Sequence, residues 1–114
     1  MQITQRQMDA FRQAQWRRFE DEVIGGLRES FAPVVAAHRL DEPGLRAVVR
    51  EVAGRAAAYG IHSEAGAARF IEFVFEFGGG FEQLPWAAPI LGSPGLDGDE
   101  KIDRLSAVAA FNVR

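Results

Sequence analysis

The chain has 114 residues, 47% of them hydrophobic and 25% charged, the composition of one ordinary globular domain able to bury a core without metal or disulfide staples. It holds no cysteine, which excludes disulfides, thiolate zinc sites, iron–sulfur clusters and cysteine nucleophiles together. A net charge of −3 with a pI near 5.4 argues against a dedicated nucleic-acid binder or a binder of anionic membranes.

The acidity is uneven. Residues 1–57 carry 9 basic and 8 acidic side chains, and residues 58–114 carry 4 and 8. The opening Met1-Gln2-Ile3-Thr4-Gln5-Arg6-Gln7-Met8 is polar and lacks the apolar stretch of a signal peptide, and no apolar run approaches the ~18 residues of a membrane span. The expected location is therefore cytoplasmic. Arginine supplies 12 of the 13 basic residues and alanine is abundant, a composition that suggests a GC-rich bacterial genome.

Four helical segments and no strand pattern follow in chain order. Thr4 suits an N-cap, and Met8, Phe11, Phe19, Val23, Leu27 and Phe31 recur at three- and four-residue steps, with Gln15 or Trp16 in the gap. Gly25-Gly26 weakens this first helix, and Pro33 ends or kinks it near Phe31, with Val34-Val35-Ala36-Ala37 available for one further turn. Asp41 caps the second helix, with Pro43 in its first turn. Its core seam is Leu45, Val48, Val49, Val52, Ala53, Ala56 and Tyr59, and Arg46, Arg50, Glu51 and Arg55 lie off that face. Gly60 suits the left-handed position that closes a helix. Ser63 opens the third helix beside Glu64, and Gly78-Gly79-Gly80 ends it. Leu84 to Leu91, bounded by Pro85 and Pro89, forms a short turn or hook that lays Trp86 and Leu91 on the core. The last helix begins near Asp99 and turns Ile102, Leu105, Val108 or Ala109, and Phe111 to one side. The expected fold is an all-α, single-domain bundle of about four helices over residues 1–114, with the Pro/Trp hook between the last two.

Catalytic chemistry is sparse. His38 and His62 both fall in interhelix turns without a ligand partner at helical spacing, which favours exposed or capping roles. Gly78-Gly79-Gly80 lacks the Lys-Ser or Lys-Thr of a phosphate loop. Asp97-Gly98-Asp99-Glu100-Lys101-Ile102-Asp103 has Ile102 where a calcium loop needs glycine, so Asp99 and Glu100 are assigned to the helix start. Arg17-Arg18 and Glu20-Asp21-Glu22 are spaced for ion pairs along a solvated helix face. No metal and no cofactor is expected.

The unusual segment is Phe70-Ile71-Glu72-Phe73-Val74-Phe75-Glu76-Phe77. A helix packed on one side turns Phe70, Val74, Phe77 and Phe81 inward with Ile71 beside them, which leaves Phe73 and Phe75 at or beyond the edge of the stripe. Either this is a central helix buried nearly all round, or Phe73 or Phe75 is exposed for a partner.

Tyr59-Gly60-Ile61 before an acid-containing helix start, Arg69-Phe70-Ile71 leading into Phe81, Pro85-Trp86-Ala87 with Ile90-Leu91, and a final helix with Lys101-Ile102 and Leu105 together mark a resemblance. With these motifs across most of its length, the chain resembles a family of small uncharacterised bacterial helical proteins, of similar length and often encoded beside type VI secretion and polymorphic-toxin genes. It departs from that pattern around Pro33 and at Gly78-Gly79-Gly80. The shared motifs are structural and transfer no catalytic residue. What the resemblance implies is an accessory or adaptor protein of a secretion or toxin system.

The functional expectation is thus a non-enzymatic protein-interaction protein whose partner, an effector or a secretion component, docks near Phe73, Phe75, Phe81 and Trp86. A second copy of the chain is an alternative cover for those rings. One rival is an immunity-type inhibitor that sets its acidic C-terminal half against a basic toxin face. The other is a small enzyme or ligand-binding domain with a pocket lined by Tyr59, His62 and Trp86.

Overall fold

A computed structural model describes residues 5–112, and the side-chain surroundings of residues 12–111. The described residues contain six α-helices, one 3-10 turn and no strand, so the chain is all-α as expected. The helices are α1 (Gln5–Ser30), α2 (Ala32–Ala37), α3 (Glu42–Ala58), α4 (Glu64–Phe77), α5 (Ala88–Leu91) and α6 (Gly98–Asn112), and the 3-10 turn is Phe81–Gln83. Two compact units are distinguished, Met1–Val49 and Arg50–Arg114, with the boundary inside α3. The expected cap Thr4 and the side chains of Met8 and Phe11 lie outside what is described.

In the first unit α1 runs unbroken through Gly25-Gly26 and stops at Ser30. Pro33 brings no N–H for the next helical bond, and its ring would crowd the preceding turn. Phe31 therefore leaves the helical path (φ −127°), and α2 starts with Pro33 in its first turn. Phe19, Ile24 and Leu27 are buried, Val23 and Phe31 half-buried, and Gln15 and Trp16 exposed. The aspartate cap of α3 is as expected, since Gly44 N–H donates to Asp41 Oδ1 at 2.9 Å.

The acidic run on α1 departs from expectation. Glu20 is 1% exposed and accepts from Arg46 Nη1 at 2.9 Å, and Asp21 accepts from Arg46 Nη2 at 2.8 Å. A fork-shaped guanidinium meets both carboxylates at once, geometry that a point charge would not match. Hydrogen bonds donated to Asp21 first and Glu20 second raise the Arg46 pKa above its already high ordinary value. Glu20, expected on a solvated face, is therefore the buried member of an ion pair with half-buried Arg46.

The second unit is built on two glycine-dependent turns and a row of aromatic rings. At the end of α3, Gly60 takes φ +83°, Gly60 N–H donates to the Ala57 carbonyl at 2.9 Å and Ile61 N–H to the Ala56 carbonyl at 3.1 Å, the paired closure that needs a left-handed residue. Ser63 then caps α4, its Oγ accepting from Gly66 N–H at 3.0 Å. Gly78, at φ +99°, ends α4 and turns the chain so that Phe81 re-enters the core. Arg55 holds that reversal from α3, donating to the Gly79 carbonyl at 2.8 Å and ion-pairing with Glu82.

α6 begins one residue earlier than Asp99. Asp97 is the cap, with Glu100 N–H donating to Asp97 Oδ1 at 2.8 Å and Asp97 N–H donating back to Glu100 Oε1 at 3.2 Å, a reciprocal capping box. Asp99 instead accepts from Ser63 Oγ at 2.8 Å, and buried Lys101 donates from Nζ to the Tyr59 carbonyl at 2.8 Å. Ile102, Leu105 and Ala109 are buried and Val108 is half-buried, but Phe111 is 85% exposed and not part of the expected seam.

Gly98 fixes where α6 can start. A Cβ there would strike the Gly60 carbonyl and lie 2.8 Å from Ile61 Cα, both of them backbone. A Cβ on Gly79 meets nothing within 4 Å. Gly98→Ala is therefore expected to destabilise the fold by about 1–3 kcal/mol, and Gly79→Ala to change it by less than about 0.5 kcal/mol, as urea denaturation followed by circular dichroism would read. Equal effects of the two substitutions would refute the contact.

Candidate interaction surface

The phenylalanine-rich helix faces inward more completely than its periodicity suggests. Phe70, Ile71 and Phe73 are fully buried, Phe75 is 7% exposed, and Val74 and Phe77 are half-buried. Six rings form one chain of contacts: Tyr59 on Phe70 (6.1 Å between centroids), Phe70 on Phe81 (5.0 Å), Phe81 on Phe73 (5.6 Å), Phe73 on Phe77 (6.2 Å) and Phe77 on Trp86 (5.0 Å). Edge and tilted geometries of this kind suit the ring quadrupole. The outer face of Phe73 is covered by the Arg69 guanidinium, 4.3 Å from the ring centroid. Arg69 is held there through Ser106 Oγ at 3.4 Å and Glu72 at 3.9 Å.

These contacts correct the proposed exposure of the interaction residues. Phe73, Phe75 and Phe81 are core residues, and a partner cannot touch them without opening the fold. Trp86 alone of the four is half-buried, packed edge-on against Phe77. Of the two readings that periodicity leaves open, burial nearly all round is the one that holds for Phe73 and Phe75. Here α4 packs on both α6 and the 3-10 turn, so two sides of the helix are covered.

The residues named for a ligand pocket are used elsewhere. Tyr59 lies on Phe70, Trp86 on Phe77, and His62 is exposed. His38 is exposed as well. No group of three or more histidine or carboxylate side chains able to hold a metal occurs among the described residues.

Two other surfaces stand out, both in the first unit. Every side chain from Arg12 to Arg18 is exposed, on all sides of α1, before Phe19 and Glu20 become buried. Trp16 sits in this stretch, 49% exposed, its ring edge-on to Phe19 at 5.6 Å. Arg12, Arg17 and Arg18 belong to the same exposed run. A helix whose flanks are all in water gains nothing from tertiary burial over those turns, and short helices without such packing are marginal.

The second surface is an open depression of about 340 Å3 with Ala32, Val35, Ala36 and Leu40 as its floor and Arg28, Arg39 and Asp41 at its rim. α2 is composed wholly of apolar residues, Ala32-Pro33-Val34-Val35-Ala36-Ala37, yet buries none of them. Arg39 holds φ +52°, donating to the Ala36 carbonyl at 3.1 Å, while Leu40 N–H donates to the Val35 carbonyl at 3.0 Å. This is the same closure that Gly60 makes after α3, built here around a residue with a Cβ.

No family model, curated protein or solved structure matches the chain.

Truncation separates core from surface. Phe73→Ala removes a fully buried ring and is expected to cost about 3–5 kcal/mol. Trp16→Ala removes an exposed ring with one aromatic contact and is expected to cost no more than about 1.5 kcal/mol. Thermal unfolding of the two variants checks this, and a Phe73→Ala protein as stable as wild type would show that the ring is not core.

Proposed function

We propose that this chain is a non-enzymatic protein-interaction protein, an adaptor or accessory component, and that its partner docks on the N-terminal turns of α1 around Trp16. The observation that carries the reading is the run of seven consecutive exposed residues, Arg12–Arg18, with a tryptophan at its centre. Tryptophan and arginine are the side chains that most often anchor protein interfaces, because each brings a large contact area and a directional polar group. A docked partner supplies the burial that these turns lack. Of the residues expected to meet a partner, Trp86 keeps a half-exposed ring on the second unit, whereas Phe73, Phe75 and Phe81 lie in that unit's core.

The cellular setting is the cytoplasm of a bacterium, and the partner is an effector or a component of a type VI secretion or toxin system. The support for that setting is the resemblance carried by Tyr59-Gly60-Ile61, Arg69-Phe70-Ile71 and Pro85-Trp86-Ala87. No helix among the described residues is long and apolar enough to cross a membrane, which is compatible with it.

Affinity capture from the native cell, with mass spectrometry, tests the reading on three folded forms: wild type, Trp16→Glu and Phe111→Ser. A partner recovered by wild type and Phe111→Ser but lost with Trp16→Glu is the expected result. A partner retained by Trp16→Glu would move the interface away from α1. Sedimentation velocity of the purified chain separates a foreign partner from a second copy, and a Trp16-dependent dimer would replace the adaptor reading with self-association.

A further inference from the structure

We infer that the depression beside α2 is a binding site for the C-terminal end of a polypeptide, taking an apolar last residue on its floor and the terminal carboxylate between Arg28 and Arg39. The site is distinct from the Trp16 surface, and its test stands whether or not that reading holds.

Three observations carry the assignment. First, α2 is six apolar residues long and buries none of them. Exposed Ala36 and half-buried Val35 and Leu40 present a floor of methyl groups that the chain itself only partly covers. Second, Arg28 and Arg39 reach the rim of the same depression, and neither guanidinium has a hydrogen bond or an ion pair among the described residues. A guanidinium fork matches a carboxylate in plane and spacing, so two unpaired forks beside an apolar floor complement a single anionic head on an apolar body. Asp41, the one acid at the rim, already accepts from the Gly44 N–H as the cap of α3, leaving the rim one positive charge in excess.

Third, the position of Arg39 is costly. Its φ of +52° belongs to the left-handed region, which disfavours a side chain with a Cβ by roughly 1–2 kcal/mol and favours glycine. The equivalent closure after α3 uses Gly60. Placing arginine at the first of these two turns spends stability and brings a cation to the edge of the apolar floor.

The form of the depression selects the occupant. It is open, so it cannot enclose a small molecule on most sides as ligand pockets do. A chain end needs only its last side chain and its carboxylate held, while the rest leaves through the open side, and capture of a C-terminal carboxylate is a recurring mode of peptide recognition.

The experiment is an amide NMR titration of the full chain with three probes: a six-residue peptide ending in leucine with a free carboxylate, the same peptide amidated, and hexanoate. The free-acid peptide is expected to shift the signals of Val35, Ala36 and Leu40, and amidation to weaken its binding by roughly tenfold or more, the worth of one charge-assisted contact. Arg39→Gly is expected to weaken the free acid to the same degree without lowering Tm, because glycine relieves the left-handed backbone. Arg28→Gln supplies a second loss of charge that leaves the turn untouched. Equal binding of the two peptides, no shift with either at millimolar concentration, or wild-type affinity in both arginine variants overturns the proposal. Hexanoate binding as tightly as the peptide also overturns it, in favour of a site for small apolar acids.

Discussion

The second unit depends on one backbone contact. α6 starts so close to the turn after α3 that Gly98 has room for a hydrogen and for nothing larger, facing the Gly60 carbonyl and Ile61 Cα. Once these backbones touch, three polar links fall within reach: Ser63 Oγ to Asp99, Lys101 Nζ to the Tyr59 carbonyl, and the Asp97–Glu100 capping box that starts the helix in this register. Gly66 belongs to the same close approach, since a Cβ there would sit 2.8 Å from Ser63 Oγ and 2.9 Å from Ile61 Cγ2. The turn that Gly60 makes possible is thus both the end of α3 and the seat of α6. Hydrophobic burial of Ile102, Leu105 and Ala109 follows from that placement, and it supplies the larger share of the stabilisation.

The aromatic chain answers a different problem. A helix with four phenylalanines between Phe70 and Phe77 exposes too much apolar surface for one neighbour to cover. Gly78 reverses the chain and sends Phe81 back between Phe70 and Phe73, so the segment covers part of itself. Arg69 closes the remaining face of Phe73 with a cation whose stem is apolar and whose head reaches Ser106. The charged residue is thereby a lid on the core rather than a member of a polar strip.

How much of this was legible in the sequence depends on how local each cause is. Caps and breakers act within a few residues, so Asp41, Ser63, Gly60, Gly78 and Pro33 mark the ends of helices directly in the text of the chain. The all-α class and most of the seam from Leu45 to Ala56 follow from periodicity for the same reason. Burial on a second side is not local. Nothing within α1 distinguishes Glu20 from Glu22, and only Arg46, 26 residues later, makes the first of them a buried partner. Lys101 is likewise buried because a carbonyl 42 residues away accepts its proton. Phe73 and Phe75 are buried on the same ground: their periodicity records one covering face, and the fold provides two.

The converse error is equally instructive. Trp16 fills a gap in a hydrophobic stripe and α2 offers one spare turn, yet in the first unit both keep apolar groups in reach of solvent, as Phe111 does at the end of α6. An apolar residue that is periodic but uncovered costs the isolated chain part of its hydrophobic stabilisation, as Arg39 costs it conformational energy. In the second unit, similar demands are largely met internally, with glycine at each left-handed turn and rings stacked on rings, Phe111 excepted. In the first unit they are left open, at Arg12–Arg18, along α2 and at Arg39. The two units thus differ in how they meet the same demands: the second closes its left-handed turns with glycine, and the first places Arg39 in one and leaves the side chains of Arg12–Arg18 in water.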